Sequence, residues 1–95
     1  MKNYPELIAT GKATIVDVRS PEEFEAGHLE NSINVPLHEI PVRMDELRKM
    51  NNIVLCCASG TRSRHATNVL QKEGISCENG GSWIDLNLYL QTKTV

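Results

Sequence analysis

Apolar and polar positions change period several times along this chain. Thr14-Ile15-Val16-Asp17-Val18 is short and β-branched, the pattern of a buried strand. Ser20-Pro21-Glu22-Glu23 then predicts a helix start. Ser20 is the N-cap, Pro21 the first helical residue, and Glu23 completes a capping box. Phe24 turns inward and Gly27 ends that helix. Ser32-Ile33-Asn34-Val35 predicts a second strand, stopped by Pro36. Leu37, Ile40, Met44 and Leu47 recur at helical spacing and predict a helix between Leu37 and Met50, with Pro41 in its first turn. Asn51-Asn52 is a turn, and Ile53 to Cys56 reads as a strand buried on both faces. Ala66, Val69 and Leu70 set up the next helix, closed by Gly74. Ile75 to Cys77 predicts a short strand and Asn79-Gly80-Gly81 a backbone turn. Ser82 and Asp85 open a last helix, with Trp83, Leu86 and Leu90 on one face.

Strand and helix alternate throughout, which predicts an α/β fold: a small, mostly parallel sheet of four to five strands with helices on both faces. In such folds the working site lies at the carboxyl ends of the strands. At 95 residues, with no internal repeat and no linker, residues 1–95 are expected to form one domain.

Composition narrows the class of protein. Hydrophobic residues make up 40% and charged residues 23%, as in a soluble globular domain. A net charge of −2 gives no reason to expect nucleic acid or an acidic membrane as partner. No apolar run approaches the roughly 20 residues that span a bilayer, and the first residues lack the pattern of a signal peptide. The three cysteines form neither a disulfide framework nor a paired zinc motif, which points to a reducing, cytoplasmic setting. A monomer is the default expectation. Between Leu47 and Lys72 there is no acidic residue, while Arg48, Lys49, Arg62, Arg64 and Lys72 fall there. That local balance suits a small anionic substrate, although charge alone favours scatter on a solvated surface.

The chemistry concentrates in "LCCASGTRSRHA", Leu55 to Ala66. A loop of small residues that enters a helix near Arg62 lets successive N–H groups converge on one point, an anion nest backed by the helix N-terminus. A thiolate at Cys57 is itself an anion in that field, so its pKa is expected below the free value of about 8.5. That makes Cys57 a nucleophile at neutral pH. Adjacent strand residues point to opposite faces, so only one of the two neighbouring thiols can face the loop. Cys56 and Cys77 are read first as small hydrophobes of the core, with a resolving thiol as the alternative for either.

These motifs resemble the rhodanese domain, a sulfurtransferase fold shared with a class of phosphatases. "IVDVRSPEEFEAGHLENSINVP" is similar to the family's Asp-Val-Arg, Glu-Phe, Gly-His-Ile and Ile-Asn-Ile-Pro elements. "CASGTRS" is similar to the active-site pattern Cys-Arg-Ser-Gly-x-Arg-Ser, and "NGGSW" to the Gly-Gly…Trp signature that follows. The resemblance implies that Cys57 takes up sulfur as a persulfide. It implies that Ala58, Ser59, Gly60, Thr61, Arg62 and Ser63 form the cradle, with Arg62 closing the ring and Ser63 opening the helix. Asp17 and Arg19 would hold loops together and border the pocket. His28 would be structural and His65 solvent-facing. No metal or organic cofactor is implied; the donor would be a small anionic sulfane compound such as thiosulfate, and the acceptor cyanide, a thiol or a sulfur-carrier protein. Ala58 departs from the basic residue that many active members carry after the nucleophile, which bears on the preferred donor.

Two other readings stand beside this one. A phosphatase or arsenate reductase on the same fold would count five residues from Cys56 to Arg62, but glycine is missing at Ser59 and histidine at Leu55. A non-catalytic module for partner binding or redox sensing would keep the fold without turnover.

Overall fold

The computed structural model describes residues 4–93. Four parallel strands form one sheet in the order β2-β1-β3-β4. They are β1 (Thr14–Asp17), β2 (Ile33–Asn34), β3 (Ile53–Cys57) and β4 (Cys77–Ser82). The helices are α1 (Tyr4–Ala9), α2 (Pro21–Ala26), α3 (Met44–Arg48), α4 (Thr61–Lys72) and α5 (Trp83–Lys93). The α/β architecture expected from the alternating pattern is the one observed. The short helix α1 is an addition, for which the sequence pattern carried no signal.

The sheet sorts the apolar residues into two cores by simple alternation. Val16, Leu55 and Cys57 pack on one face with Leu47 of α3 and Ala66 and Leu70 of α4. Ile15 and Cys56 pack on the other with Leu86 of α5, flanked by Tyr4, Ile8, Trp83 and Leu90. The two neighbouring thiols therefore point to opposite faces, as the two-residue period of a strand requires. β3 lies between β1 and β4 and is buried along its whole length.

Four elements differ from the sequence expectation. The helix expected between Leu37 and Met50 is broken into 3₁₀ turns at Leu37–Glu39 and Pro41–Arg43, followed by α3. Pro41 has no N–H to give to the Leu37 carbonyl, and the Ile40 N–H takes it instead, at 3.2 Å. The spacing still places its residues correctly: Ile40 and Leu47 are buried, and Leu37 and Met44 pack against the same core.

The strand expected at Ile75 begins later, at Cys77, and runs through Asn79-Gly80-Gly81 to Ser82. The Ile75 N–H is bonded to Leu70 O at the end of α4, which removes it from the ladder. The glycines are not a free turn but a bulge: Leu55 pairs with Asn79 and Cys56 with Gly81, leaving Gly80 as the extra residue. A Cβ at Gly80 would stand 2.8 Å from Val54 Cγ1 and 2.9 Å from Leu86 Cδ1, so β3 and α5 close in only over a glycine.

The first two strands are shorter than the pattern implied. β1 ends at Asp17 and β2 comprises Ile33 and Asn34, although Val18 N–H still bonds Cys56 O and Val35 N–H still bonds Asp17 O. The capping box at Ser20 and Glu23 and the proline at the start of α2 are present as expected. Ser82 caps α5, its hydroxyl accepting from the Asp85 N–H at 3.3 Å. Among the described residues, no helix is long and apolar enough to cross a membrane.

Candidate active site

The carboxyl end of β3 delivers Cys57 into a short loop, 58–60, from which α4 rises at Thr61. Gly60 is the N-cap of that helix, with φ of 96°, in the left-handed region that favours glycine. A Cβ there would also meet Gly81 Cα at 3.3 Å. This bend turns donors onto the sulfur. Gly60 N–H reaches Cys57 Sγ at 3.0 Å and Ser63 N–H at 3.4 Å, with Ser63 Oγ at 3.4 Å.

Two effects oppose each other at this thiol. Burial disfavours the anion, while hydrogen bonds from the Ser63 hydroxyl and from the N–H groups of Ser63, Gly60 and Ser59 favour it. The hydrogen bonds prevail and the Cys57 pKa lies below its ordinary value. Cys56 has no such ring. Burial drives its thiol far up, with the Asp17 charge adding to the effect. Burial, then the charge of Glu78, pushes Cys77 up to about 11.

The sequence-predicted cradle is only partly assembled around the sulfur. Gly60 and Ser63 touch it. Ala58, Ser59 and Thr61 are exposed, and Ser59 Oγ lies 3.4 Å from Thr61 Oγ1. Ser63 is the third residue of α4 rather than its opening. Arg62, expected to close the ring, instead grips Glu23 of α2 with both terminal nitrogens, at 2.7 and 3.0 Å. Its charge still bears on Cys57 through space.

Glu23 is thus used twice. Its carboxylate accepts from the Ser20 N–H as part of the capping box and pairs with Arg62. The Arg62 hydrogen bonds and then the Ser20 N–H lower its pKa to about 2. The cap was legible in sequence; the partner, 39 residues away, was not.

Asp17 and Arg19 form a buried ion pair at the end of β1, with Arg19 Nη2 2.7 Å from Asp17 Oδ2. Arg19 also donates to Glu23 O at 3.2 Å and Gly27 O at 2.7 Å, and its guanidinium lies 4.7 Å from the Trp83 ring centroid. The pair ties β1 to α2 and α5. It acts on the loop through Glu23 and Arg62, not by touching the sulfur. His28 Nδ1 lies 2.7 Å from Phe24 O and its ring stacks on Phe24 at 3.8 Å.

Sequence reasoning missed Asn79. From β4 it holds Ser63 Oγ at 2.6 Å and Gly60 O at 3.3 Å, so it touches two of the residues that donate to Cys57. An apolar cleft of about 470 Å³ shares Arg62 with the loop; Val18, Leu37, Ile40 and Val69 form its walls, with His65 at its edge. Among the described residues, no cluster of His, Cys, Asp or Glu could hold a metal ion.

A parallel sheet with a cysteine at a strand end, ringed by the donors of a tight loop and a helix start, defines a thiolate-stabilising α/β domain. The chain belongs to the family described as the rhodanese-like domain, whose model matches residues 2–83. It is 37% identical over 68 residues to a sulfurtransferase of Allochromatium vinosum, covering 72% of this chain and 64% of that one. It is 33% identical to a putative mitochondrial thiosulfate sulfurtransferase of Schizosaccharomyces pombe, covering 86% of this chain and 69% of the other. The crystal structure of a rhodanese-related protein from Thermoplasma volcanium superposes with a TM-score of 0.71 at 33% identity, over 86% of this chain and 87% of that one. The chain spans 64%, 50% and 32% of the length of three relatives it matches.

Proposed function

We propose that this protein is a sulfurtransferase that moves a sulfane sulfur from thiosulfate, or a similar small anionic donor, to a thiophilic acceptor through a persulfide on Cys57. The observation that carries the reading is the ring of donors on one sulfur: Gly60 N–H, Ser63 N–H and the Ser63 hydroxyl around Cys57 Sγ. Relatives named as sulfurtransferases support it.

In the first step the Cys57 thiolate attacks the outer sulfur of thiosulfate. A sulfur–sulfur bond forms to Cys57, the sulfur–sulfur bond of the donor breaks, and sulfite leaves with its electron pair. The persulfide keeps a single negative charge, which the same N–H groups hold. In the second step cyanide or a thiolate attacks the outer sulfur and Cys57 departs as thiolate. No redox partner is required. Cys57 is fully buried at rest, so its sulfur must become accessible before a donor can reach it.

A phosphatase counted from Cys56 fits less well. That thiol points to the opposite face of the sheet and its pKa is driven up, while Arg62 is engaged by Glu23. Three free cysteines fit a reducing, cytoplasmic setting.

The test is intact mass spectrometry of the reduced protein after incubation with thiosulfate, beside Cys57→Ala and Cys56→Ser. A gain of one sulfur atom, reversed by dithiothreitol and lost only in Cys57→Ala, is expected. No gain in the wild-type chain would refute thiosulfate as donor and favour a binding module.

A further inference from the structure

Ser63 has one hydroxyl hydrogen and two acceptors within reach. Cys57 Sγ lies 3.4 Å from Ser63 Oγ on one side and Asn79 Oδ1 2.6 Å on the other. The Asn79 amide cannot turn over to become a donor here. Its oxygen already accepts from Gly81 N–H at 3.0 Å, and its nitrogen donates to Gly60 O at 3.3 Å. The β4 bulge fixes this arrangement, because the extra residue Gly80 sets Asn79 opposite Leu55 and Gly81 opposite Cys56.

We propose that Asn79 is a positioning residue that competes with Cys57 for the Ser63 hydroxyl hydrogen, holding it while the sulfur is a thiol and yielding it when the sulfur becomes an anion. In the thiol state the hydrogens run in one direction: Cys57 S–H to Ser63 Oγ, and Ser63 O–H to Asn79 Oδ1. When Cys57 loses its proton to solvent, Ser63 O–H turns to the sulfur and Asn79 Oδ1 keeps the Gly81 N–H. The same turn serves a persulfide anion. Asn79 thus restrains the thiolate at rest and leaves no acceptor empty after the turn.

The inference rests on the reading of Cys57 as the reactive thiol, and its sign separates it from a merely structural role. Loss of the Asn79 acceptor frees Ser63 O–H for the sulfur and favours the thiolate. A loop simply loosened by the substitution would lose N–H donors and disfavour it. The charged and titratable groups on the elements packed around Cys57 are Arg62, Arg64, His65 and Lys72 on α4, Glu22, Glu23 and Glu25 on α2, Asp17 and Arg19 at the end of β1, Cys56 on β3, and Cys77 and Glu78 on β4. All are unchanged by the substitutions.

The experiment measures the pH dependence of Cys57 alkylation by iodoacetamide, site-resolved by mass spectrometry, on the reduced full chain. The variants are Asn79→Ala, the near-isosteric Asn79→Leu, Ser63→Ala and the double variant Ser63→Ala/Asn79→Ala, each checked for folding by circular dichroism. Either Asn79 variant that folds should lower the midpoint by about half a pH unit to one unit, the worth of one hydrogen bond. Ser63→Ala should raise it, and adding Asn79→Ala to Ser63→Ala should move it no further. An unchanged or raised midpoint in a folded Asn79 variant overturns the inference, as does an equal downward shift in the Ser63→Ala background. Alkylation needs no sulfur donor. A wild-type chain that takes no sulfur from thiosulfate would therefore refute the proposed transfer and leave this inference standing.

Discussion

Arg62 and Glu23 join α4 to α2 in a two-pronged ion pair, at 2.7 and 3.0 Å, and so hold the guanidinium beside the Cys57 loop without letting it enter. The pair is over a third exposed on each side, which limits its own worth to stability. Its importance is geometric. Arg19 fixes the backbone of α2, Glu23 caps that helix and holds Arg62, and Arg62 sits in the first turn of the helix that presents its N–H groups to the sulfur.

Replacing Glu23 with Gln should release Arg62 from its ion pair while leaving a side chain that can still complete the capping box of α2. The pair is over a third exposed, so its loss should cost only about 0.2–1 kcal/mol. The acid range gives a sharper signature. The Glu23 pKa is depressed from 4.5 to about 2 in the folded chain, so the carboxylate contributes stability above its unfolded value near 4.5. That contribution is lost as pH falls from 4.5 towards 2. Urea unfolding across this window should show a smaller fall in stability for Glu23→Gln than for wild type.

Alkylation should separate the three thiols by pH. The Cys57 pKa is lowered, so Cys57 should react at lower pH than a free thiol. Cys56 and Cys77, both pushed up by burial, should stay unmodified near neutral pH in the folded chain. Peptide mapping after brief iodoacetamide treatment reads all three, and modification of Cys56 ahead of Cys57 would contradict the arrangement.

Gly60→Ala should cost about 1–2 kcal/mol for a side chain in left-handed backbone. The contact of its Cβ with Gly81 Cα at 3.3 Å adds to that. Relaxation of the bend would draw Gly60 N–H off the sulfur, so sulfur uptake from thiosulfate should fall by more than stability alone explains. Thermal unfolding and a loading time course on the same sample separate the two.

Asp17→Ala would strand a buried Arg19, only 4% exposed, without its carboxylate. Breaking a buried pair from one side costs about 3–5 kcal/mol. That is a large share of the roughly 5–15 kcal/mol that holds a domain together. The variant is expected to unfold at a much lower urea concentration, and a midpoint near wild type would show that the pair carries little of the fold.

Much of this architecture was legible because it depends on near neighbours. Ser20 and Glu23 are three residues apart, and their mutual caps need nothing from the rest of the chain. The apolar run of β3 and the alternation of Cys56 and Cys57 follow from strand geometry alone. Pro41 was legible as a helix residue but not as a break, since proline suits a first turn as well as a 3₁₀ corner; only the Ile40 bond to Leu37 O decides between them. Asn79-Gly80-Gly81 has the composition of a turn. It becomes a bulged strand because β3 supplies a ladder on one side and Leu86 presses on Gly80 from the other.

The chain's own order thus carried most of the elements, the capping box of α2 and part of the nest after Cys57, since each is a matter of backbone period and hydrogen bonds between close residues. Folding in three dimensions decided how the charges and protons are shared. Glu23 finds Arg62 across 39 positions, and Asn79 finds Ser63 across 16. Whether a thiol is pushed up or drawn down depends on burial and on donors brought through space, and neither is written in the residues beside it.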